Sequence, residues 1–166
     1  MTEHRRTLVV GVGSDFGDDC VGLYVVDRLA SRLPSGCELL KVRTPVDLLD
    51  QLEDVAELHV VDGCRGSGAP GTTIREDMRS IRLSDVSFSG THDLDVVSAL
   101  RLAETLDQLP ARTTIWGVES TSDGDPPSLR AALTAEVAVG ADLLVDRIVA
   151  ELHGAIVEAE ESCRHA

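Results

Sequence analysis

The most informative part of the sequence lies near its start and reads Leu8-Val-Val-Gly-Val-Gly-Ser-Asp-Phe-Gly-Asp-Asp-Cys-Val-Gly22. It opens with an apolar run that ends in glycines, which is the pattern of a buried strand entering a tight turn. Apolar residues then recur at spacings of three and four between Val21 and Leu33, which predicts an amphipathic helix. Asp18 and Asp19 precede this helix, where its dipole favours negative charge. The segment therefore indicates the first strand and helix of an α/β fold.

The remainder of the chain continues this alternation of strands and helices. Further strands are predicted at residues 37–42, 58–62 and 113–119, with an edge strand at 72–75. Helices are predicted from Thr44 to about residue 52, from Thr91 to residue 106, and from near Thr134 to residue 152. The acidic end from Glu158 is expected to fray. We predict one domain over residues 1–166, with a core of about 7–153, built as an α/β sandwich around a mostly parallel sheet.

Length and charge exclude several classes of partner. The chain has 166 residues, enough for one domain, and its 15 Lys and Arg stand against 29 Asp and Glu, a formal net charge of −14. Binding to nucleic acid or to an anionic membrane rests on Lys and Arg, so neither is expected as a partner. No apolar run approaches the roughly 18 residues of a membrane span. We expect a soluble, cytoplasmic protein.

The glycine-rich turn after the first strand does not fit a nucleotide site. Its glycines are spaced as Gly11-x-Gly13-x-x-x-Gly17, and Phe16 stands where a dinucleotide-binding motif has its third glycine. Two aspartates follow at the helix start, where a pyrophosphate would lie. The second strand ends Lys41-Val-Arg43, without the acidic residue that binds a ribose. Nucleotide binding is therefore rejected.

Three residues with metal-ligating side chains follow strands or precede a helix at what is predicted to be the same edge of the sheet. Asp19 comes after the first strand, Asp62 ends the third, and His92 is predicted to begin a helix. Each alone has an ordinary explanation, as a helix cap, a turn residue or a helix-start residue. Together they would form a site of two carboxylates and one imidazole for zinc, nickel or another borderline divalent ion.

These segments resemble the nickel–iron hydrogenase maturation proteases over about residues 8–152. Besides the opening stretch, the resemblance rests on Val60-Val-Asp-Gly63, Gly68-Ala-Pro-Gly71, Thr91-His92, Ile115-Trp-Gly-Val-Glu-Ser120 and Leu133-Thr-Ala-Glu-Val137. The motifs occur in the order found in that family. The resemblance implies a three-layer α/β/α sandwich with about five strands.

The same resemblance implies an activity and a site. The activity is that of a metal-dependent endopeptidase that removes the C-terminal extension of a hydrogenase large-subunit precursor after nickel insertion. The family's metal-contacting positions correspond to Asp19, Asp62 and His92, which we predict to be both the metal ligands and the catalytic residues. The nickel would be supplied by the substrate, and another divalent metal such as zinc or cadmium would also fit such a site. The implied partner is the precursor.

Two departures from the family pattern leave other interpretations open. Cys20 replaces a glycine or other small residue, and Val42-Arg43 replaces small residues in a loop expected to select the precursor. Cys20 with His92 would suit a cysteine-dependent amide hydrolase, and Cys64 would suit a soft metal ligand or a redox partner. The ordinary interpretation of both cysteines is an inert packed residue, which we prefer.

Further alternatives concern Glu119, His59 and the function itself. Glu119 ends the strand at 113–119 and would either support the site or contact substrate, or be a surface residue. His59 lies inside a strand and is predicted to be packed. The chain would also suit a non-cleaving, nickel-dependent docking or chaperone module for a hydrogenase subunit.

Overall fold

The computed structural model describes residues 6–81, 86–88, 94–120 and 132–164, with side chains up to residue 155. Its strands are β1 (Arg6–Val12), β2 (Cys37–Val42), β3 (Val55–Arg65), β4 (Thr73–Asp77), β5 (Ser87–Phe88) and β6 (Arg112–Glu119). Its α-helices are α1 (Val21–Leu29), α2 (Val96–Thr105) and α3 (Ala135–Arg164), and 3-10 helices span Gly17–Cys20 and Pro45–Gln51. None of the helices in these ranges is long and apolar enough to cross a membrane.

The strands form one mostly parallel sheet in the order β2-β1-β3-β6-β4. The pairs β1–β2, β1–β3 and β3–β6 are parallel, whereas β4 joins the edge antiparallel to β6 and the two-residue β5 pairs with the end of β3. The predicted sheet and its edge strand are confirmed, with β5 added to the five-stranded path. Because β1, β2, β3 and β6 all run the same way, their ends meet at one edge of the sheet, which we call the carboxyl edge.

Two apolar layers cover the sheet because successive strand residues point to opposite faces. Residues such as Leu8, Leu58 and Val60 pack on one face with α2 and the Pro45–Gln51 helix. Val9, Val61 and Trp116 pack on the other face with α1 and α3. Burying each large aliphatic side chain contributes on the order of 2 kcal/mol, so these layers hold the helices to the sheet. The predicted three-layer arrangement is thus confirmed.

Glycines let α1 approach the end of β1 closely. A Cβ atom on Gly22 would lie 2.2 Å from the carbonyl oxygen of Val12 and 2.5 Å from that of Val61. A Cβ atom on Gly11 would lie 2.2 Å from the carbonyl oxygen of Gly22. No side chain fits at either position, so these glycines serve helix–strand packing and bring the turn before α1 onto the sheet.

One predicted helix differs from the structure in its type, a second differs in its start, and a third agrees. The segment after Thr44 begins and ends where predicted and has a capping box between Thr44 and Asp47, but it forms a short 3-10 helix, the form that brief helical pieces often adopt. Helix α2 does not begin at Thr91, because the Asp95 carboxylate accepts a hydrogen bond from the Ser98 amide at 2.7 Å and caps the helix there. Helix α3 begins as predicted after Thr134.

The backbone of the acidic end, which is predicted to fray, is helical through Arg164. The last fifteen residues of this helix contain no proline and are rich in alanine and glutamate, which are strong helix formers. The charge of the segment therefore does not prevent helix formation.

Candidate active site at the carboxyl edge

Asp19 lies in the Gly17–Cys20 helix that follows β1 and packs against β3. Its side chain is exposed, and its Oδ2 accepts a hydrogen bond from the Ser14 amide at 2.9 Å. This bond orients the carboxylate across the turn while the group stays open to solvent. Asp19 is therefore available to an incoming cation or substrate at the carboxyl edge.

The neighbouring Asp18 has a different environment. Its Oδ1 accepts hydrogen bonds from the Thr134 amide at 2.8 Å and from the Thr134 hydroxyl at 3.1 Å. Thr134 immediately precedes α3, so Asp18 supplies a negative charge and hydrogen-bond acceptor at the N-terminal end of that helix. Of the two adjacent aspartates, Asp18 anchors the turn and Asp19 faces outward.

The prediction that Asp62 ends its strand is wrong, because β3 continues to Arg65 through its pairing with β6. Asp62 is fully buried within β3, opposite Gly117 of β6. Its Oδ1 accepts a hydrogen bond from the amide of Gly63 at 2.8 Å. The preceding residue, Val61, pairs with Gly11 of β1, so Asp62 lies beside the end of β1, where the turn that carries Asp19 begins. The structure thus brings Asp19 and Asp62 to the same edge of the sheet.

The third predicted ligand, His92, lies outside the described residues. The prediction that it begins α2 is wrong, because α2 starts at Val96 with Asp95 as its cap. Within the described ranges, no three His, Cys, Asp or Glu side chains are grouped so that they could hold a metal ion. The described part of the site therefore offers two carboxylates, which are oxygen donors suited to a divalent ion together with an imidazole.

Glu119, at the end of β6, is only 6% exposed, so it is not a surface glutamate. Its carboxylate accepts hydrogen bonds from the Gly66 amide at 3.0 Å, the Ser67 amide at 2.7 Å and the Ser67 hydroxyl at 2.5 Å. Burial raises the pKa of Glu119, but these donors and the positive charge of Arg65 outweigh it and hold the pKa below its usual value. Ser67 was not predicted from the sequence, where its only signal is a hydroxyl in a glycine-rich loop beyond Asp62.

The cysteines at this edge are protonated thiols. Burial and the charges of Asp18 and Asp19 raise the pKa of Cys20. Cys64 is 1% exposed, and burial with the nearby Glu119 and Asp62 raises its pKa to about 11, although a contact with Ser67 opposes this. Both thiols are free. A nucleophilic cysteine needs a lowered pKa, so these environments favour the interpretation of inert packed residues.

His59 is packed, as predicted. It is completely buried, its Nδ1 accepts a hydrogen bond from Trp116 Nε1 at 3.1 Å, and its Nε2 lies 3.2 Å from Glu57 Oε1. With Nδ1 acting as acceptor, the Nε2 hydrogen donates to Glu57. Glu57 in turn pairs with Arg112 at 2.8 Å. This group lies toward the opposite ends of β3 and β6 and takes no part in the candidate site.

The rim of the site includes one of the positions that departs from the family pattern. Arg43, just beyond β2, forms an ion pair with Asp15 in the turn after β1. Phe16 and Val46 are exposed nearby in sequence, at 52% and 47%. Apolar and charged groups thus alternate on the loops that follow β1 and β2, where loops are the usual place for contacts with a substrate.

No family model and no curated protein sequence matches the chain, but its fold matches solved structures. The hydrogenase maturating endopeptidase HybD from Escherichia coli is 23% identical with a TM-score of 0.69, covering 90% of this chain and 93% of that one. The [NiFe] hydrogenase maturation protease HycI from Thermococcus kodakarensis is 20% identical with a TM-score of 0.69, covering 89% and 92%.

A third structure, a hydrogenase 2 maturation peptidase from a Thaumarchaeota archaeon, is 28% identical with a TM-score of 0.65 and covers 89% of this chain and 98% of its own. These structures share the mostly parallel sheet flanked by helices. The resemblance of the sequence motifs and the likeness of the fold therefore concern the same group of proteins.

Proposed function

We propose that this protein is a hydrogenase maturation endopeptidase, which removes the C-terminal extension of a nickel–iron hydrogenase large-subunit precursor after nickel insertion. The observation that carries the proposal is that Asp19 and Asp62 both lie toward the carboxyl edge of this fold. In open α/β sheets this edge is where ligands bind. Their order along the chain agrees with the motifs that resemble the family.

The two carboxylates suit a metal that arrives with the substrate. Asp19 is exposed and Asp62 is buried toward the same edge of the sheet, so one donor is accessible from solvent and the other is held by the sheet. Together with His92 they would complete the coordination of a nickel ion already anchored in the precursor. A divalent ion beside the scissile peptide polarises the carbonyl and lowers the pKa of a bound water. Three protein ligands with open positions bind free metal weakly, which would delay cleavage until nickel is in place.

The environments of the two thiols favour hydrolysis by a metal-assisted water molecule and not by a cysteine nucleophile. Both Cys20 and Cys64 have raised pKa values, so neither is a thiolate near neutral pH. The reaction we propose therefore uses neither of these thiols as its nucleophile. The compartment that we propose for it is the cytoplasm.

The test is a processing assay with large-subunit precursor from the same organism, with and without nickel, and with products weighed by mass spectrometry. We expect loss of a C-terminal peptide from the nickel-loaded precursor alone. Asp19→Asn should abolish this loss, because it keeps the acceptor for Ser14 but removes the charge. Asp107→Asn is the matched control, since Asp107 is exposed and lies between α2 and β6, where β6 begins, away from the carboxyl edge.

Other outcomes would contradict the proposal in different ways. A precursor that binds the protein but stays intact would favour the docking module. Processing that survives His92→Ala and Asp62→Asn, in variants that melt like the wild type, would exclude the predicted metal ligands. Inhibition by iodoacetamide but not by a chelator would favour the cysteine hydrolase.

A further inference from the structure

The connection from β3 to β4 must pass over the end of β6. In the sheet β6 lies between β3 and β4, so the chain leaves β3 after Arg65 and crosses the carboxyl edge before entering β4 at Thr73. Residues 66–71 make this crossing and are mostly exposed. We call them the crossing loop. It begins four residues after Asp62.

Glu119, the last residue of β6, lies beneath the crossing loop and binds it at both ends. Its carboxylate accepts the three hydrogen bonds from Gly66 and Ser67 at the start of the loop. Its carbonyl oxygen accepts a hydrogen bond from the Gly71 amide at 2.9 Å, and its own amide donates to the Thr72 carbonyl at 2.8 Å. One residue therefore fixes the entry and the exit of the loop.

The far end of the loop is also locked by close packing. A Cβ atom on Gly71 would lie 2.2 Å from the carbonyl oxygen of Glu136, and one on Gly140 would lie 2.2 Å from the carbonyl oxygen of Gly71. The exit of the loop thus rests directly on the first turns of α3. The entry, by contrast, is held through the Glu119 side chain.

We propose that Glu119 is a positioning residue for the processing reaction, whose carboxylate holds the crossing loop in the conformation that receives the precursor peptide beside Asp62. This inference rests on the proposed function. An exposed loop that is already ordered binds a peptide at a lower entropic cost than a mobile one. The crossing loop is exposed, is held by the buried carboxylate of Glu119, and follows Asp62 closely in the sequence. These three properties are what a loop that binds the precursor peptide needs.

The chain provides a matched control in a second buried carboxylate. Glu57 lies on the adjacent strand β3, its side chain is 13% exposed, and it is held by His59 and Arg112 toward the opposite edge of the sheet. Glu57→Gln removes a paired, largely buried charge without touching the crossing loop. Glu119→Gln likewise removes the charge of the Glu119 carboxylate beneath the loop. Ser67→Ala keeps that charge and removes the contacts of the Ser67 hydroxyl with Glu119 at 2.5 Å and with Cys64 Sγ at 3.5 Å.

The first measurement is hydrogen exchange of the Gly66 and Ser67 amides, which needs no precursor. In Glu119→Gln, one of the two oxygens that accept hydrogen bonds from the loop is replaced by an NH2 group, which cannot accept them. We therefore expect hydrogen exchange at the backbone amides of Gly66 and Ser67 to rise about tenfold or more. Ser67→Ala should raise it less, and Glu57→Gln should leave it unchanged. Unchanged exchange in Glu119→Gln would show that the carboxylate does not hold the loop and would overturn the inference.

The second measurement is steady-state processing of the nickel-loaded precursor, below the melting temperature of every variant. A loosened loop weakens peptide binding before it affects the chemistry, so we expect Glu119→Gln to raise KM about tenfold while kcat changes much less. Ser67→Ala should shift KM in the same direction, and Glu57→Gln should shift neither constant. A purely structural role for Glu119 would not produce this selective change in KM.

The outcomes separate the two proposals. Wild-type protein that leaves the nickel-loaded precursor uncut overturns the proposed function and this inference with it. Active wild type with an unchanged KM in Glu119→Gln, despite faster exchange at Ser67, overturns this inference alone. If Glu119→Gln does not fold, Ser67→Ala decides the matter by the same two measurements, and an unchanged KM with raised exchange again overturns the inference.

Discussion

Asp18 and Thr134 are 116 residues apart in the sequence but are joined by hydrogen bonds of 2.8 Å and 3.1 Å. The contact ties the turn after β1 to the start of α3. It also separates the roles of two adjacent aspartates, since Asp18 caps a helix that belongs to another part of the chain while Asp19 remains exposed. The geometry of the candidate site therefore depends on how α3 docks.

Asp18→Ala should destabilise the protein without removing a predicted ligand. Losing a capping acceptor costs about 1 kcal/mol, which for a domain of this size lowers Tm by about 2–4 °C. Asp18→Asn should lose less, because its amide oxygen still accepts from Thr134. Differential scanning calorimetry measures the effect, with Asp15→Ala as the control in the same turn. A Tm for Asp18→Ala equal to that of the wild type would mean that the contact does not stabilise α3.

The fold was predictable from local patterns because each parallel strand is a short apolar run. The runs that became β1, β3 and β6 were all identified, and so was the edge strand β4. Among the helices, the errors concern the start of one helix and the type of another. Asp95, not Thr91, caps α2, and the segment after Thr44 tightens into a 3-10 helix before β3. Neither outcome follows from hydrophobic periodicity.

A residue of the candidate site could be located from the sequence only where its position follows from the direction of its strand. Both Asp19 and Asp62 belong to this class. Asp19 follows β1 and Asp62 lies three residues before the end of β3, and the carboxyl ends of parallel strands meet. The contact between Glu119 and Ser67 depends on β6 lying between β3 and β4, which is a property of the strand order and not of any local sequence. The pairing of Asp18 with Thr134 is equally non-local.

Gly22→Ala should be strongly destabilising. The added Cβ would lie 2.2 Å from the Val12 carbonyl oxygen and 2.5 Å from that of Val61, and two strand backbones cannot move aside easily. Overpacking of this kind costs about 3 kcal/mol or more. The change would also push α1 and its preceding turn away from the sheet, so processing should fall even in the folded fraction. Urea unfolding measures the loss of stability.

Gly154→Ala, in contrast to Gly22→Ala, should stabilise the protein. Gly154 lies in α3, and a Cβ atom added there would meet no atom within 4 Å outside its own stretch of helix. Alanine is the better helix former, so the free energy of unfolding should rise by about 0.5–1 kcal/mol. If both glycine substitutions destabilised the protein equally, close packing at Gly22 would not be the cause.

Cys20→Ser should retain processing activity within about twofold. The thiol has a raised pKa and is therefore a poor nucleophile, and serine is similar in size and well suited to the position before α1. Iodoacetamide should modify Cys64 only slowly in the native protein, because this thiol is buried and has a pKa of about 11. Site-resolved mass spectrometry follows the labelling. An inactive Cys20→Ser variant with a normal Tm would instead assign catalysis to the thiol.

The acid stability of the protein should depend on Glu57. The hydrogen bond from His59 lowers the pKa of Glu57 below the ordinary value of 4.5, and the charge of Arg112 acts in the same direction, although burial opposes both. Because the folded state favours the charged carboxylate, this stabilisation is present above the unfolded-state pKa. It is lost as the pH falls below about 4.5 and through the lowered folded-state value.

Glu57→Gln should therefore reduce stability near pH 7 and flatten the fall in stability between about pH 5 and pH 3. Urea unfolding across this range gives the slope of the free energy of unfolding against pH. Glu53→Gln is the control, since Glu53 is exposed and its charge should not affect the slope. Glu119 also has a lowered pKa, so part of the acid dependence should persist in Glu57→Gln and decrease further in the double variant. A slope identical to that of the wild type would show that the network of Glu57, His59 and Arg112 does not favour the ionised carboxylate.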